Sequence, residues 1–287
     1  MKKEKKHLGF KIIFFLLLLI VAVYFYGTNI STSMIKANEY KIKVNDLPDN
    51  FEGFKIVQFS DVLYGTNFGE ENLKKLVDKI NETNPDIVVF TGDLINKNNK
   101  MTTEQADTIS EILSEIEADG GKYAINGDND YKFDEWQNII KNSGFTNLNN
   151  TYDTIYKDGY NYLLIAGAST FADKESINDK LNDTIEYINT LETGGPVYKI
   201  LLMHEPDYIN DLNTNPFDLI LAGHSLGGQI KLPGIGAVDR KDGAQKYTDG
   251  YYKLENSELY VTSGLGNENY KFRLFNTPEI NIYRLVK

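Results

Sequence analysis

The order of apolar and polar residues predicts alternating strands and helices over most of the chain. Short, uninterrupted apolar runs such as Ile87 to Phe90 are typical of strands that are buried on both faces. Before that run, apolar residues at positions 73, 76, 77 and 80 have helical spacing and predict an amphipathic helix. The predicted strands span 55–60, 87–90, 122–125, 162–166, 200–203, 219–221, 259–262 and 280–285, and the last two are expected to be antiparallel closing strands.

A second helix is predicted before the strand at 122–125. Thr102 and Gln105 fit a capping box, and apolar residues follow at positions 109, 112, 113 and 116. Strands that alternate with helices of this length form parallel βαβ units, with helices covering both faces of the sheet. The pattern therefore predicts a layered α/β fold with a mixed sheet or sheets.

The first segment has a different pattern. Every residue from Ile12 to Tyr26 is apolar or aromatic, and Leu8 to Lys11 extends the run to about the 20 residues that a membrane-spanning helix needs. Five lysines lie at or before Lys11, whereas only Lys36 follows closely, which favours a cytoplasmic N-terminus. A cleaved signal peptide is the alternative, although Ser31 to Ser33 only weakly imitates a cleavage site.

These features predict three parts of the chain. Residues 1–28 would form a basic cytoplasmic stub and a transmembrane anchor, and residues 29–37 a short polar tether. Residues 38–287 contain no Pro- or Ser-rich break and would form one extracytoplasmic domain. We therefore expect a single-pass protein of the cell membrane.

Composition limits the chemistry. The chain has no cysteine and three histidines, so disulfides and thiolate metal sites are excluded and any metal must rely on carboxylates. Residues 1–11 carry a formal charge of +4, and the remainder of the chain therefore carries −15. Such a surface repels a phosphate backbone, and we expect no nucleic-acid partner. The abundance of Asn and Lys is typical of a bacterium with an AT-rich genome.

Acidic residues or histidines follow five of the predicted strands. Ligands in open α/β folds bind beyond the carboxyl ends of the strands. The residues concerned are Asp61, Asp93, the stretch Asn126 to Asp130, His204 and His224. Each of them alone has an ordinary structural interpretation, as a turn residue, a helix cap or a core histidine. Together they predict a shared metal or phosphate site, whereas Asp207, after Pro206, is expected only to cap the following helix.

The motifs at these strand ends occur in a specific order. They are FSDxxYG (Phe59 to Gly65), TGD (Thr91 to Asp93), NGDND (Asn126 to Asp130), MHEPD (Met203 to Asp207) and AGHSLGGQ (Ala222 to Gln229). This order resembles the DxH, GD, GNHD, HxPD and GHxHxGQ motifs of the calcineurin-like metallophosphoesterases, especially their membrane-anchored bacterial branch. The resemblance implies a four-layer αββα sandwich with mixed sheets, preceded by one N-terminal transmembrane helix.

The resemblance also implies a two-metal site that hydrolyses phosphate mono- or diesters. Asp93 would bridge the two metals, and Asp61 would bind the first. His204, His224 and the residue at position 128, here Asp128, would bind the second metal. Position 129, which in the family holds the histidine that assists the leaving group, would complete the catalytic set of Asp61, Asp93 and Asn129.

Three positions depart from the family pattern. Leu63 and Leu226 replace both histidines of the first metal, so that metal site is expected to be lost. Asn129 can form hydrogen bonds but cannot transfer a proton near neutral pH. The second metal keeps two carboxylates and two imidazoles, a ligand set that suits one divalent metal such as Mn, Fe or Zn.

Two functions remain open at this point. The first is metal-dependent hydrolysis of a phosphate ester, in a small molecule or an envelope component, with one metal and at a reduced rate. The second is a catalytically inactive envelope binding or scaffold protein that retains one metal or phosphate-ligand site. A calcium site is a weaker alternative, because Lys132 breaks the EF-hand pattern and His204 and His224 argue against a site of oxygen ligands only.

Overall fold

Two six-stranded sheets face each other in the centre of the molecule. The computed structural model describes residues 2–65, 68–191 and 197–287, with side chains from Gly9 onward. The strands are β1 (Lys36–Lys43), β2 (Lys55–Phe59), β3 (Ile87–Phe90), β4 (Lys122–Ala124), β5 (Thr146–Asn147), β6 (Thr151–Tyr156), β7 (Tyr162–Gly167), β8 (Lys199–Met203), β9 (Leu219–Ala222), β10 (Lys231–Leu232), β11 (Gly236–Ala237), β12 (Gly250–Lys253), β13 (Glu258–Val261) and β14 (Glu279–Val286). The helices are α1 (Lys2–Phe25), α2 (Glu70–Asn81), α3 (Thr103–Ser114), α4 (Glu135–Asn142), α5 (Ile177–Lys180) and α6 (Asn182–Thr190).

Both sheets are mixed. The first has the order β1-β14-β2-β3-β4-β5 and the second has the order β12-β13-β9-β8-β7-β6. Strands β2 to β5 are parallel to one another, and so are β7, β8, β9 and β13. The carboxyl ends of these two parallel sets carry the motifs identified in the sequence.

The direction of one closing strand differs from the sequence prediction. Strand β14 is antiparallel to β2, as expected, although it is also parallel to β1. Strand β13, at the predicted 259–262 segment, is parallel to its inner neighbour β9 and antiparallel only to β12. The reason is that β12, which the apolar pattern did not reveal because Tyr251 is exposed, forms a hairpin with β13 and takes the sheet edge.

The apolar runs bury both faces of each sheet. Because successive side chains of a strand point to opposite faces, Val57 of β2 packs against the helices while Ile56 packs between the sheets. Helices α2, α3 and α4 contribute to the outer core of the first sheet, and α5 and α6 to that of the second. The predicted four-layer αββα sandwich is confirmed.

Local sequence signals account for the first two helices of the sandwich. The apolar stripe of α2 is buried, as its spacing predicts. Helix α3 begins with the predicted capping box, in which Thr102 and Gln105 each accept a hydrogen bond from the other's backbone N–H.

The N-terminal helix α1 projects from the sandwich with its side chains from Phe10 to Phe25 largely exposed. The span Gly9–Ser33 is long and apolar enough to cross a membrane. Four of the five N-terminal lysines, Lys2, Lys3, Lys5 and Lys6, lie outside the side chains that the structure describes, whereas Lys11 is exposed. The end of α1 is attached to the sandwich, because the Tyr24 and Phe272 rings stack at 6.3 Å and Gly27 O accepts a hydrogen bond from Arg273 N.

Candidate metal centre

The carboxyl ends of five strands meet at one edge of the sandwich. Asp61 follows β2, Asp93 follows β3 and Asp128 follows β4 by a few residues, all in the first sheet. His204 follows β8 and His224 follows β9 in the facing sheet. The two sheets therefore contribute acidic residues and imidazoles, respectively, to a common edge.

Four of these residues form a tight cluster. One ligand atom from each of Asp93, Asp128, His204 and His224 lies within 4.8 Å of the others. His204 Nε2 is 3.5 Å from Asp93 Oδ2 and 3.5 Å from Asp128 Oδ1, and His224 Nδ1 is 3.1 Å from Asp128 Oδ1. Ligands about 2.1 Å from a common ion lie about 3.0 Å apart in an octahedron and about 3.4 Å apart in a tetrahedron. The observed separations match ligands that surround one ion.

Backbone carbonyls orient both imidazoles. His204 Nδ1 lies 2.6 Å from Thr91 O, and His224 Nε2 lies 2.8 Å from Asp242 O. Because a carbonyl oxygen only accepts hydrogen bonds, each of these nitrogens must carry the proton and donate. The opposite nitrogen of each ring then directs its lone pair into the cluster, which is the arrangement of a metal-ligating histidine.

The atoms that point into the cluster lack ordinary partners. His204 Nε2, His224 Nδ1 and Asp128 Oδ1 are buried and form no hydrogen bond with any part of the chain that the structure describes. Buried acceptors that face one another are costly unless a cation or a proton lies between them. The donor set of two imidazoles and two carboxylates fits a divalent metal of the Mn, Fe or Zn type.

The charges of the cluster alter two pKa values in opposite directions. Burial lowers the pKa of His204, but the charge of Asp93 and the carboxylates beside the ring raise it well above its usual value. Burial raises the pKa of Asp128, but the two histidines hold it well below its usual range. A proton and a metal thus compete for Nε2 of His204.

Asn129 holds the Asp93 carboxylate. Its backbone N–H donates to Asp93 Oδ1 at 2.9 Å, and its side-chain amide donates to Oδ2 at 2.5 Å. Asn129 is buried. The two hydrogen bonds from Asn129 therefore fix the orientation of the Asp93 carboxylate.

Asp130 ties the β3 and β4 loops together. Its carboxylate accepts hydrogen bonds from the backbone N–H groups of Asp93, Leu94 and Gly127 at 2.7, 2.8 and 3.1 Å. Burial and the charge of Asp93 raise its pKa to about 8, although the backbone donors oppose this rise. These bonds direct the carboxylate toward the backbone and give Asp130 a positioning role.

Asp61 lies beside the four-residue cluster. Its Oδ2 accepts a hydrogen bond from His224 N at 3.0 Å, while Oδ1 is buried without a partner among the described residues. Burial, together with the charge of Asp93, raises the pKa of Asp61. Leu63 and Leu226, each two residues after a polar site residue, are both buried, and a leucine side chain offers no metal ligand.

Lys241 is a charged group of this region that sequence reasoning missed. Its Nζ lies 2.9 Å from Glu268 Oε2, and Lys97 binds the other oxygen of that carboxylate at 2.6 Å. Lys241, Leu226 and Glu268 line the same small cavity. Burial lowers the pKa of Lys241, but Glu268, Asp61 and Asp93 raise it above its usual value, so the side chain is cationic. No motif marks Lys241, because its position depends on the fold of the loop that carries it.

Two glycines permit the close approach of the β3 and β4 loops. A Cβ atom on Gly127 would lie 2.6 Å from Asp93 N and 2.8 Å from His204 Nε2. A Cβ atom on Gly92, where φ is +95°, would lie 2.7 Å from both Gly127 N and His204 Nδ1. Any larger residue would displace the ligands, which explains why glycine stands at both positions.

Several residues of the site have a strained backbone. Asp61, Leu63, Asp93, His224 and Leu226 have φ values of 51°, 51°, 63°, 68° and 50°. A left-handed conformation is uncommon for residues other than glycine and costs of order 1–3 kcal/mol each. Such strain is typical of functional sites, and it persists here at both leucines.

Asp207 does not cap a helix, contrary to the sequence prediction. Its carboxylate accepts hydrogen bonds from the backbone N–H groups of Gln245, Lys246 and Tyr247 at 2.7, 3.0 and 3.0 Å. The segment after it is a short 3-10 turn, Pro206–Asp211, and Asp207 lies inside that turn. Asp207 thus holds the loop whose Asp242 carbonyl orients His224.

Comparisons with known proteins agree with this geometry. The profile of the calcineurin-like phosphoesterase family matches residues 54–228, a range that contains every position of the cluster. The chain is 34% identical over 266 residues to an uncharacterized metallophosphoesterase, YkuE, of Bacillus subtilis (strain 168), covering 91% of this chain and 89% of YkuE.

Two more distant relatives carry descriptive names. One is a transmembrane protein with metallophosphoesterase domain of Danio rerio, 27% identical over 264 residues, covering 89% of this chain and 58% of the relative. The other is the UDP-2,3-diacylglucosamine pyrophosphatase LpxG of Chlamydia muridarum, 24% identical over 318 residues, covering 93% and 94%. The strand-end cluster, the αββα sandwich and the matched profile together show that this chain belongs to the calcineurin-like phosphoesterase family.

Proposed function

We propose that this protein is a membrane-anchored phosphoesterase that hydrolyses a phosphate ester with one bound divalent metal. The observation that carries the proposal is the convergence of unpartnered ligand atoms from Asp128, His204 and His224 on one point beside Asp93. Leu63 and Leu226 support a single metal, because they stand where the family pattern has the imidazoles of the other ion.

A divalent metal at this cluster supplies Lewis-acid activation of the phosphate ester and of the attacking water. The chain itself holds the ligands in place, since Thr91 and Asp242 fix the histidine tautomers and Asn129 fixes Asp93. Rigid ligands of this kind orient the reacting groups before the reaction begins.

Lys241 supplies a positive charge on the side of the missing metal. It lies in the cavity beside Leu226, and Glu268 holds its ammonium group. We propose that this ammonium stabilises Asp61 and the negative charge of the phosphoryl group in place of the first ion.

The proposed rate is lower than that of a complete two-metal site. Asn129 cannot transfer a proton to the leaving group, and a missing general acid typically costs about 10² to 10⁴ fold in rate. Substrates with good leaving groups do not need this proton, so we expect them to be hydrolysed preferentially.

We propose that the substrate is a phosphate-ester small molecule or an envelope component outside the cytoplasm. The candidate span Gly9–Ser33, which is long and apolar enough to cross a membrane, supports a location of the domain beside a bilayer. The relative LpxG is named as a pyrophosphatase of UDP-2,3-diacylglucosamine, a phosphorylated molecule that carries acyl groups.

The second candidate function is a catalytically inactive envelope binding or scaffold protein that retains one metal or phosphate-ligand site. The hydrogen bonds between Asn129 and Asp93 favour this second function, because they direct the side chain at the family's leaving-group position toward the Asp93 carboxylate. The two functions share the metal cluster and differ only in turnover.

Turnover of a generic phosphodiester separates the two functions. The full chain is purified in detergent and assayed with bis-p-nitrophenyl phosphate and added Mn²⁺. We expect metal-dependent hydrolysis that His224→Ala abolishes and that Tyr160→Ala, a change at an exposed turn, leaves intact. A chain that binds one metal and never hydrolyses the ester would refute the hydrolase and favour the binding protein.

A further inference from the structure

An apolar hairpin protrudes from the edge of the sandwich that carries the metal centre. Strands β10 and β11 pair through Lys231–Ala237 and Leu232–Gly236, and the seven residues from Leu232 to Val238 carry no charge. The side chains of Leu232, Ile235 and Val238 are 36%, 70% and 55% exposed. Exposed turns are usually built from polar residues, so an apolar tip of this kind marks an interaction surface.

The hairpin is attached to the same segment that contacts the N-terminal helix. We call residues 270–275 the anchor-contact segment. Lys231 N donates to Leu274 O at 2.9 Å at the base of the hairpin. Two residues before Leu274, the Phe272 ring stacks on Tyr24 and covers Gly27. The residue after Leu274, Phe275, is itself 63% exposed and adds an apolar side chain to the surface of this segment.

The hairpin also follows directly from the metal centre. His224 and Leu226 belong to the turn that leads into β10, and Leu274 N donates to Gln229 O of that turn at 3.2 Å. Asn276 Nδ2 donates to Leu226 O at 2.6 Å. The metal centre, the hairpin and the end of α1 therefore share one side of the molecule.

We infer that the β10–β11 hairpin inserts into the bilayer beside α1, so that the metal centre faces phosphate groups at the lipid surface. The inference rests on the membrane anchoring proposed above. It names the substrate class for the same site, which is a phosphate ester presented at the headgroup level of the membrane.

The charge distribution favours insertion of apolar side chains over electrostatic attraction. The chain beyond residue 11 carries a formal charge of −15, so most of its surface is repelled by anionic lipids. The hairpin tip lacks acidic residues, and Lys271 of the anchor-contact segment is exposed. Strand β10 ends at Leu232 and leads into the turn of residues 233–235, so the apolar side chains of the tip lie beyond the paired part of the hairpin, where they can enter the boundary between headgroups and acyl chains.

The absence of cysteine allows a direct test. Ile235→Cys is labelled with the environment-sensitive fluorophore NBD in the full chain, reconstituted in vesicles of phosphatidylcholine and phosphatidylglycerol. The matched control is Tyr160→Cys, because Tyr160 is 99% exposed in the β6–β7 turn, at the amino end of β7 and thus at the opposite end of the parallel strands from the metal centre. We expect the emission at position 235 to shift to shorter wavelength and to be quenched by nitroxide-labelled acyl chains, with neither effect at position 160.

Two results would overturn the inference. One is an emission at position 235 that matches the water-exposed control in vesicles. The other is a shift to shorter wavelength that depends on the protein-to-lipid ratio and is not accompanied by quenching from nitroxide-labelled acyl chains. Such a shift would show that a second copy of the chain covers the hairpin. The metal content of the Ile235→Cys variant, expected to equal that of the unmodified chain, verifies that the variant is folded.

The fluorescence test does not depend on turnover. A chain whose hairpin inserts but that hydrolyses no phosphate ester would refute the proposed function and leave the inference standing. A chain that hydrolyses bis-p-nitrophenyl phosphate while the label at position 235 stays in water would refute the inference and leave the function standing.

Discussion

Introducing imidazoles at positions 63 and 226 should create a site for a second metal. In the double variant Leu63→His with Leu226→His, both histidines would occupy positions whose backbone is left-handed, with φ of 51° and 50°. Histidine adopts this conformation more readily than leucine does, so the backbone tolerates the change. With Asp61 and Asp93 as carboxylate ligands, we expect metal content to rise from about one toward two ions per chain, as in a two-metal centre.

The energetic cost of this change follows from burial. Both leucines are fully buried, and burying one leucine stabilises a protein by about 1.5–3 kcal/mol, so the pair contributes about 3–6 kcal/mol. The double variant should therefore unfold at a lower temperature than the unmodified chain. A ligand at 100 times its dissociation constant returns about 2.7 kcal/mol, so added Mn²⁺ should recover a large part of the loss.

The assay combines metal analysis by plasma mass spectrometry with thermal unfolding at several Mn²⁺ concentrations. The matched control is Leu63→Asn with Leu226→Asn, which is equally polar and compatible with positive φ but provides only weak amide ligands. A folded double-histidine variant that binds no additional ion, and gains no more stability from Mn²⁺ than the asparagine control, would refute the placement of these leucines at the first metal position.

Three further outcomes follow from the site geometry. Lys241→Met should lower phosphodiester turnover by at least about tenfold without changing the metal content. Steady-state assays with parallel metal analysis would measure both quantities, and unchanged turnover would remove Lys241 from the mechanism. Gly127→Ala should abolish metal binding, because its Cβ would lie 2.8 Å from His204 Nε2, and retained metal would contradict this packing. Because the carboxylates raise the pKa of His204, protons should displace the metal as the pH falls below that pKa. Equilibrium dialysis should then show that the metal affinity drops about tenfold per pH unit. A metal affinity that is independent of pH would exclude His204 as a ligand.

Much of the fold could be predicted from apolar periodicity alone. Strands such as β3 and β9 are buried on both faces, so their residues form continuous apolar runs that are visible in the sequence. The edge strands β6 and β12 alternate partly exposed residues and leave a weaker signal. The direction of β13 was wrongly predicted for that reason, since it depends on the hairpin that β12 forms.

The four clustered ligands could be predicted because each follows a buried strand. Topology then brings their side chains to one edge without any information on loop conformation. Lys241 and the Asp242 carbonyl could not be predicted, because both depend on the loop that Asp207 holds through backbone N–H groups. Every residue has a backbone carbonyl, so a hydrogen bond to a carbonyl cannot be recognised from residue type. The left-handed backbone of Leu63 and Leu226 could not be predicted either, because leucine rarely adopts that conformation.

Every role proposed for this site depends on one divalent ion at the edge of the sandwich, held by Asp93, Asp128, His204 and His224. The most direct measurement is the metal content of the full chain, purified in detergent without chelators and equilibrated with Mn²⁺, for the unmodified protein and for His204→Ala. We expect one ion per chain in the unmodified protein and none in the variant. No bound ion, or two ions per unmodified chain, would contradict this expectation.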